Sequence, residues 1–534
     1  MLEALTFERR FLDALPGDPT PSRARKQVRG IVHSRVEATP VARPHVVATS
    51  PEVARLLGID PESLRTERSA QVFAGNALLD GMVPYASCYG GHQFGHWAGQ
   101  LGDGRAMTLG ELQASNGTRW ELQLKGAGPT PYSRSADGRA VMRSSVREFL
   151  CSEAMHHLGV PTTRALTLVG TGDEVVRDIL YRGDPRPEPG AVVCRVAPSF
   201  LRFGHWEILA FRDEPALLRG LTEFTIRTHF PELLVARGLG PSDAIDGETV
   251  GDWAVEVAER TARMVAEWMR VGFVHGVMNT DNMSVLGLTI DYGPYGWLEG
   301  FDLDWTPNTT DAEGRRYAYG KQPRVALWNV ARFLSALLPL APRERLEGAV
   351  KSFERAFDEA HAAHCAHKLG LAALADDGDR TLASDLVALL GAVETDMTLF
   401  YRGLARVPIA RDAAIAERLA PIEAAFYSPD AVPVAHRHAL AAWLDRWAGR
   451  SRVEDPEARL ERMRRANPKY VARNYLAQLA IDDAERGDGA KVERLLDVLR
   501  RPYDEQPEHE ADYAQKRPEW ARSRPGCSML SCSS

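Results

Sequence analysis

The segment HGVMNTDNMSVLGLTIDYG, residues 275–293, carries Asp281 and Asn282 near its middle and Asp291 near its end. The residues between them favour a short β run. A hairpin here would bring the side chains of these three residues together at one site. Hard cations such as Mg²⁺ bind carboxylate and amide oxygens, and phosphate oxygens complete the shell. We therefore expect Asn282 and Asp291 to hold a cation with ATP, and Asp281 to act as a general base. The alternative is a polar turn before a strand, which Asp and Asn also favour.

The chain around this segment changes character along its length. Dense glycine and β-type runs such as AMTLGEL and RWELQLKG precede it, whereas periodic helical patterns begin near residue 207 and dominate to about 500. The last residues, rich in Pro, Glu and Ser, predict a loosely attached tail. This order favours an α+β, protein-kinase-like bilobal fold with four regions: an N-terminal extension (1–80), a β-rich N-lobe (81–206), a helical C-lobe with the catalytic and metal loops (207–500), and a tail with a cysteine pair (501–534).

Two Asp-Gly motifs are candidates for phosphate contacts. In QLGDGR, Gly102 and Gly104 flank an aspartate just before a β run, and Arg105 adds a positive charge. Glycine lets the backbone approach a phosphate, whose oxygens accept from exposed N–H groups. Asp137 and Gly138 form a second Asp-Gly turn, in SADGRA. An ordinary β-turn explains the first motif equally well.

Basic side chains are candidates for contacts with the rest of a nucleotide. Lys125 ends a predicted strand in LQLKGAGPTPYSR, and Glu148 lies on the helix that follows. This is the kinase arrangement for a phosphate-binding lysine and its supporting carboxylate. Arg195 and Arg202, in CRVAPSFLRFGHWE, could converge on a terminal phosphate. Taken alone, the lysine and the two arginines could equally be surface residues.

The segment around Asp281 resembles a protein-kinase catalytic loop followed by a DFG-type metal motif. The usual loop reads His-Arg-Asp-Leu-x-x-x-Asn, and aligning it by His275 and Asn282 puts Val277 at the position of the catalytic aspartate. Valine cannot accept a proton, and the nearest acid is Asp281. The resemblance is therefore to an atypical kinase or a pseudokinase.

Longer motifs resemble one family in particular. The strings YGGHQFG, QLGDGR, LKGAGPTPYSR, DGRAVMRSS, RVAPSFLRFGH, HGVMNTDNMS and DYGPYG occur in this order, and the chain ends in Cys-Ser-Ser. The set is similar to the selenoprotein O family of protein adenylyltransferases, over about residues 80–335 and the tail. The resemblance implies a pseudokinase fold that binds ATP flipped relative to kinases. It also implies transfer of AMP to Ser, Thr or Tyr hydroxyls of proteins.

The resemblance implies a role for each candidate residue. It makes Asp281 the general base, Asn282 and Asp291 the ligands of Mg²⁺ (or Mn²⁺), and Glu148 the partner of the lysine. The nucleotide contacts that it implies are Gly102, Gly104, Arg105, Lys125, Asp137, Gly138, Arg195, Arg202 and Asp291. A flipped nucleotide presents its α-phosphate to the metal and the base, and the lysine and arginines support the departing pyrophosphate.

Two of the six cysteines lie in the terminal sequence PGCSMLSCSS. Their position on a tail predicts exposed thiols with a redox role, and an inert, disordered tail is the alternative. In bacterial relatives a cysteine at the position of Cys532 can pair with one in the activation loop, where this chain has Pro307. Cys527 is then the available partner, and we hypothesise a Cys527–Cys532 redox pair.

The composition limits the partners and the location. The chain has 534 residues and a formal net charge of −7, which argues against a general nucleic-acid binder. No apolar run is long enough to cross a membrane. The four scattered cysteines are typical of a reducing compartment. We expect a cytoplasmic protein that acts on proteins, with a mitochondrial presequence in the Arg-rich residues 22–43 as the alternative.

Three other functions stay open on the sequence alone. The chain could be an unusual protein kinase, a catalytically silent pseudokinase scaffold that binds nucleotide, or an enzyme that transfers UMP with Mn²⁺. The retained Asp281, Asn282 and Asp291 disfavour a scaffold, because a scaffold needs no base. The choice between AMP and UMP depends on pocket contacts that the sequence does not specify.

Overall fold

The computed structural model describes residues 2–240 and 242–531. The strands in these residues are β1 (Phe7–Glu8), β2 (Gly17–Asp18), β3 (His33–Arg35), β4 (His45–Thr49), β5 (Tyr85–Ser87), β6 (His92–Gln93), β7 (His96–Trp97), β8 (Ala106–Gln113), β9 (Arg119–Lys125), β10 (Ala140–Val141), β11 (Arg164–Arg177), β12 (Arg186–Ala197), β13 (Phe273–Val274) and β14 (Gly296–Trp297). Among them, one sheet has the order β2-β3-β5-β8-β9-β12-β11-β4, with β1 paired to β8 and β10 to β12. Two separate pairs, β6–β7 and β13–β14, lie outside that sheet.

Helices dominate the chain after β12. The helices of the described residues are α1 (Arg10–Ala14), α2 (Pro51–Leu56), α3 (Glu67–Phe73), α4 (Met142–His157), α5 (Gly204–Phe211), α6 (Pro215–His229), α7 (Pro231–Ala236), α8 (Gly247–Val271), α9 (Gln322–Ala336), α10 (Arg343–Lys368), α11 (Asp377–Ala392), α12 (Met397–Leu404), α13 (Ile415–Glu423), α14 (Val434–Ser451), α15 (Pro456–Ala466), α16 (Asn474–Ala484), α17 (Ala490–Leu499) and α18 (Pro507–Tyr513). None of them combines the length and apolar character needed to cross a bilayer. The fold is thus mixed, with one large sheet and many helices.

Local signals explain where the main helices begin and end. The Asp246 side chain accepts a hydrogen bond from Thr249 N over 2.8 Å and caps α8, which stops at Gly272 with a φ of +77°. Ser50 caps α2 in the same way, through Val53 N. These are the positions at which capping residues and glycine predict helix ends.

The two faces of the sheet are covered by different parts of the chain. On one face, Val146 and Phe149 of α4 pack with buried residues of β11 and β12. On the other face, Val53 of α2 and Phe73 of α3 join a second buried cluster with Leu122 of β9. The first 80 residues also supply strands β1 to β4 to the sheet. They are therefore part of the structure that positions β9 and its lysine.

The segment between Asp281 and Asp291 differs from the prediction. Residues 284–290 form no strand, and no hairpin joins the two aspartates. The backbone finds partners elsewhere, because Val285 N donates to Leu201 O over 3.2 Å and Thr289 N donates to Pro161 O over 2.9 Å. Long-range contacts have overridden the local β propensity. The hairpin-like pair is instead β13–β14, which brackets the segment from outside.

The tail is more firmly attached than its composition predicts. Leu530 is buried, its N–H donates to Pro307 O over 3.0 Å, and its carbonyl accepts from Thr309 N over 2.7 Å. The described part of the tail therefore packs against the loop that follows β14. The expectation of a loosely attached tail is wrong for these residues, because a few buried apolar side chains anchor an otherwise polar segment.

The prediction of exposed tail thiols is wrong for Cys527. This residue is 2% exposed, and burial raises the pKa of its thiol to about 11. Its carbonyl accepts a hydrogen bond from Asn474 Nδ2 over 2.6 Å, which ties it to α16. A buried, protonated thiol is a poor nucleophile. Cys532 lies outside the described residues, so the Cys527–Cys532 pair stays a prediction.

Two buried carboxyl groups face each other across β8 and β9. Glu121 is the register partner of Glu111. Glu111 forms an ion pair with Arg10, whose Nε lies 2.8 Å from its Oε2, whereas Glu121 accepts from Phe200 N over 3.2 Å. Burial, together with the charge of Glu111, raises the pKa of Glu121 to about 8. The folded protein therefore holds this proton more tightly than the unfolded chain does.

This shift predicts a pH-dependent gain in stability from Glu121→Gln. The native carboxyl contributes to the free energy of unfolding below its unfolded pKa of about 4.3, and that contribution is lost as pH rises towards 8. Glutamine keeps the shape without titrating, so the variant should gain on the order of 2–4 kcal/mol more at pH 8 than at pH 5. Thermal unfolding at both pH values measures this. The exposed Glu174→Gln is the matched control, and an equal shift at both pH values would contradict the assignment.

Candidate active site

One cavity of about 770 Å³ collects most of the candidate residues. Its wall is built from the loop before β8, the end of β9, the turn before β10, strand β12 and the segments around β13 and β14. The candidates on the wall are Gly102, Gly104, Arg105, Lys125, Asp137, Gly138, Arg195, Asp281, Asn282 and Asp291. Glu148 and Arg202 stand behind it, and each contacts a residue on the wall. The structure thus brings all twelve predicted site residues outside the tail into one place.

An ion pair joins the end of β9 to α4. Lys125 Nζ lies 2.5 Å from Glu148 Oε2 and 3.7 Å from Asp291 Oδ1. Burial lowers the pKa of Lys125, and the two carboxylates oppose that shift. Arg195 Nη1 also donates to Glu148 Oε1 over 3.1 Å. The ammonium group is therefore held at the cavity wall, where a phosphate oxygen can accept from it.

Asp291 lies at the centre of a cluster of cations. Its φ of +55° is in the left-handed region, which aspartate tolerates better than most residues. Arg195 Nη1 donates to its Oδ1 over 2.5 Å, and Arg202 Nη1 contacts its Oδ2. Burial opposes ionisation, but the charges of Arg202, Arg195 and Lys125 hold the pKa of Asp291 well below its ordinary value. Asp291 is therefore a carboxylate at neutral pH.

Asp281 has the opposite electrostatic environment. Gln93 Nε2 donates to its Oδ2 over 3.2 Å, whereas its Oδ1 is buried and has no hydrogen-bond partner among the described residues. Burial raises the pKa of Asp281 to about 7, against the effects of Gln93 and Arg202. Two carboxyl groups in one cavity thus differ widely in acidity. A carboxyl group that changes protonation near pH 7 is suited to proton transfer.

Asn282 and Asp291 fit a divalent cation. Asn282 Nδ2 donates to Val277 O over 2.9 Å, so the amide oxygen is the atom left for a ligand. An amide oxygen and a carboxylate are ligands that Mg²⁺ and Mn²⁺ accept, with phosphates and water completing the shell. Both arginine contacts involve the carboxylate oxygens of Asp291, so a cation there has to share or replace them.

Glycine is required at two positions of the wall. A Cβ on Gly102, whose φ is +141°, would lie 2.6 Å from the Tyr132 ring and 2.7 Å from Ser87 O. A Cβ on Gly138, whose φ is +71°, would clash with the backbone of Gly128. Both sites are thus crowded by protein as well as open to the cavity. The carboxylate of Asp137, next to Gly138, is paired with Arg177 at 2.8 Å.

Several polar residues of the cavity have no assigned role in the motifs of the sequence. Gln93 contacts Asp281, Asp103 accepts from Ser87 N over 2.9 Å, and Arg177 pairs with Asp137. No spacing rule points to them, because each contact joins distant parts of the chain. Gln93 lies in YGGHQFG, a motif that helped to identify the family resemblance but received no role.

Comparison with known proteins shows the family of the chain. A family profile described as "Protein adenylyltransferase SelO" matches residues 26–500. The chain belongs to this family. It is 56% identical to protein nucleotidyltransferase YdiU of Aromatoleum aromaticum and 57% identical to that of Azoarcus sp. strain BH72, over the full length of both chains in each case. Identity to YdiU of Xanthomonas axonopodis pv. citri is 56% over 99% of both chains.

Membership of the SelO family confirms the resemblance read from the motifs. The motifs cover about residues 80–335 and the tail, whereas the family match extends from residue 26 to residue 500. It therefore includes most of the N-terminal segment that completes the sheet. It also includes the helical region that carried no recognisable motif.

Proposed function

We propose that this protein transfers AMP from ATP to Ser, Thr or Tyr hydroxyls of target proteins and releases pyrophosphate. The observation that carries the proposal is the common cavity wall of Asp281, Asn282, Asp291, Lys125 and Arg195. A base, two cation ligands and fixed positive charges are the parts that transfer of a phosphorus group needs. Membership of the SelO adenylyltransferase family supports nucleotidyl transfer among such reactions.

In the proposed reaction, the target hydroxyl oxygen attacks the α-phosphorus of ATP. Asp281 takes the hydroxyl proton, and a phosphoester bond forms between the target oxygen and the α-phosphorus. The bond from the α-phosphorus to the oxygen shared with the β-phosphorus breaks, and the electron pair leaves with pyrophosphate. The raised pKa of Asp281, about 7 because of burial, suits it to accept a proton near neutral pH.

The surrounding charges suit the leaving group. Asn282 and Asp291 are the proposed ligands of Mg²⁺, which neutralises phosphate charge when bound. Lys125, Arg195 and Arg202 are the proposed partners of the β- and γ-phosphates, because guanidinium and ammonium groups match phosphate oxygens. Phosphates would give the arginines alternative acceptors and so leave Asp291 free for the cation.

We infer a kinase-like bilobal arrangement for the chain. Residues 81–206, as the N-lobe, contribute Lys125 from the sheet, and residues 207–500, as the C-lobe, contribute Asp281. Residues 1–80 and 501–534 are the proposed flanking segments. A cytoplasmic location is supported by three free, buried cysteines, which are typical of a reducing compartment: Cys88, Cys151 and Cys194.

Labelled ATP tests the reaction class. With Mg²⁺ and a panel of acceptor proteins (or the enzyme itself as acceptor), ATP labelled at the α-phosphate should label protein, and ATP labelled at the γ-phosphate should not. Intact mass should rise by one AMP per modified site. Label from the γ-phosphate alone would identify a protein kinase instead. Nucleotide binding without any transfer would identify a scaffold.

UMP transfer with Mn²⁺ is the second candidate. The relatives are named protein nucleotidyltransferases, a description that does not specify the base. Parallel assays with ATP and UTP, each with Mg²⁺ and with Mn²⁺, separate the two reactions. For AMP transfer, we expect kcat/KM to be higher with ATP and Mg²⁺ than with UTP and Mn²⁺.

A further inference from the structure

A short hairpin lies against the catalytic loop. Strands β6 and β7 pair His92 with Trp97 and Gln93 with His96, and the turn consists of Phe94 and Gly95. The two turn residues have φ values of +51° and +87°, as a two-residue type I′ turn requires. Phenylalanine is unfavourable in this region, so the surrounding contacts must hold the turn in place.

Three consecutive hairpin residues hold three consecutive residues of the loop. His92 N donates to Thr280 Oγ1 over 2.7 Å, Gln93 Nε2 donates to Asp281 Oδ2 over 3.2 Å, and Phe94 N donates to Asn279 Oδ1 over 3.1 Å. The hairpin therefore contacts the residues that precede the aspartate as well as its carboxylate. The hairpin and the loop are therefore joined by three hydrogen bonds and not by a single contact.

The hairpin is itself fixed to the helical region. The His92 ring contacts the carboxylate of Glu207 on α5 and packs at 5.4 Å from the Trp328 ring on α9. Phe94 N also donates to the Tyr317 hydroxyl over 2.9 Å, and the two rings lie 5.2 Å apart. These anchors fix the chain on both sides of Gln93 relative to the loop.

The two oxygens of Asp281 have different surroundings. Oδ1 is buried near Gly91, where an added Cβ would lie 3.0 Å from it. Asp281 and Gln93 both line the cavity. Oδ2 is therefore the oxygen that the cavity can reach, and it is the oxygen that the Gln93 amide holds.

We propose that Gln93 is a positioning residue that holds Asp281 Oδ2 towards the target hydroxyl, and that the hairpin 92–97 fixes this geometry. The inference rests on the proposed function, since it assumes that Asp281 is the base. A neutral amide suits the task because it donates to a carboxylate without forming an ion pair that would compete for the proton. Its contribution is to the orientation of the base and not to nucleotide binding.

The decisive variant is Gln93→Met, which keeps the length of the side chain but has no N–H group. Loss of a hydrogen bond to a charged group predicts a fall in kcat of about 10-fold or more. The KM and Kd for ATP should stay within about twofold of the parent values. The matched control is Gln113→Met at an exposed position on β8, which should change neither kcat nor KM.

Two outcomes of the kinetic and stability measurements would overturn the proposal. One is a Gln93→Met enzyme with the parent kcat. The other is a parallel loss of nucleotide affinity and of thermal stability, which would mean that Gln93 only supports the wall. If the parent transfers label from the γ-phosphate, the proposed function fails. The ratio of variant to parent rates still tests whether Gln93 positions Asp281. A crystal structure of the variant gives a readout independent of activity: we expect the Asp281 carboxylate to rotate or split, and an unchanged carboxylate would count against the proposal.

Discussion

Asp281→Asn should lower the rate of AMP transfer by a factor of about 10² to 10⁴, the usual contribution of a general base. Asparagine has the size of aspartate but cannot take the hydroxyl proton. Nucleotide affinity should stay close to the parent value, because the proposed phosphate contacts are made by other residues. Transfer of α-label and titration calorimetry with ATP measure the two quantities.

The stability of this variant is a second, independent readout. Burial raises the pKa of Asp281 to about 7, so the folded protein carries an unfavourable partial charge there at neutral pH. The Asp281→Asn substitution would remove that charge, and the melting temperature at pH 8 should not fall. Asp512→Asn, at an exposed position of α18, is the matched control. A variant that keeps more than a tenth of the parent rate would remove Asp281 from the role of base.

Asp291→Asn should abolish cation-dependent activity and also destabilise the protein. Asp291 is the carboxylate shared by Arg195, Arg202 and Lys125. Removing one partner of a buried ion pair leaves uncompensated charge and costs roughly 3–5 kcal/mol. Asparagine tolerates the left-handed backbone at this position, so the variant tests the charge and not the backbone.

Thermal unfolding with and without Mg²⁺ and ATP measures both effects. The parent should melt at a higher temperature when Mg²⁺ and ATP are added together, since both bind the folded state. Without ligands, the Asp291→Asn variant should have a lower melting temperature than the parent. It should also lose most of the increase in melting temperature that depends on Mg²⁺. The Asp291→Asn and Asp281→Asn variants should differ clearly. The same substitution in the same cavity should destabilise the folded protein at residue 291 and not at residue 281. Equal Mg²⁺-dependent gains in parent and variant would exclude Asp291 as a ligand.

Much of the fold could be predicted because its signals are local. The Asp246 cap and Gly272 define α8 within the sequence that forms it. Residues 284–290 show the limit of such reasoning. Their β propensity is real, but Leu201 and Pro161 supply better-placed partners from distant parts of the chain. The attachment of the tail through Leu530 was likewise invisible, because its composition resembles that of a disordered segment.

Site residues could be predicted where a suitable side chain lies in a recognisable motif. The resemblance to kinases pairs Lys125 with Glu148, and the structure places their side chains 2.5 Å apart. Gln93 had no such analogue. Its partner lies 188 residues away, and no periodicity or spacing connects them.

Capping, periodicity and motifs are properties of neighbouring residues, so the amino-acid sequence is enough to indicate the family, the main helices and the residue types of the site. The acidity of the two aspartates depends instead on how the chain folds. Burial raises the pKa of Asp281 to about 7 against the opposing effects of Gln93 and Arg202, whereas three cations hold the pKa of Asp291 well below its ordinary value. Burial and charge at a side chain come from groups folded against it, so chain order cannot specify them.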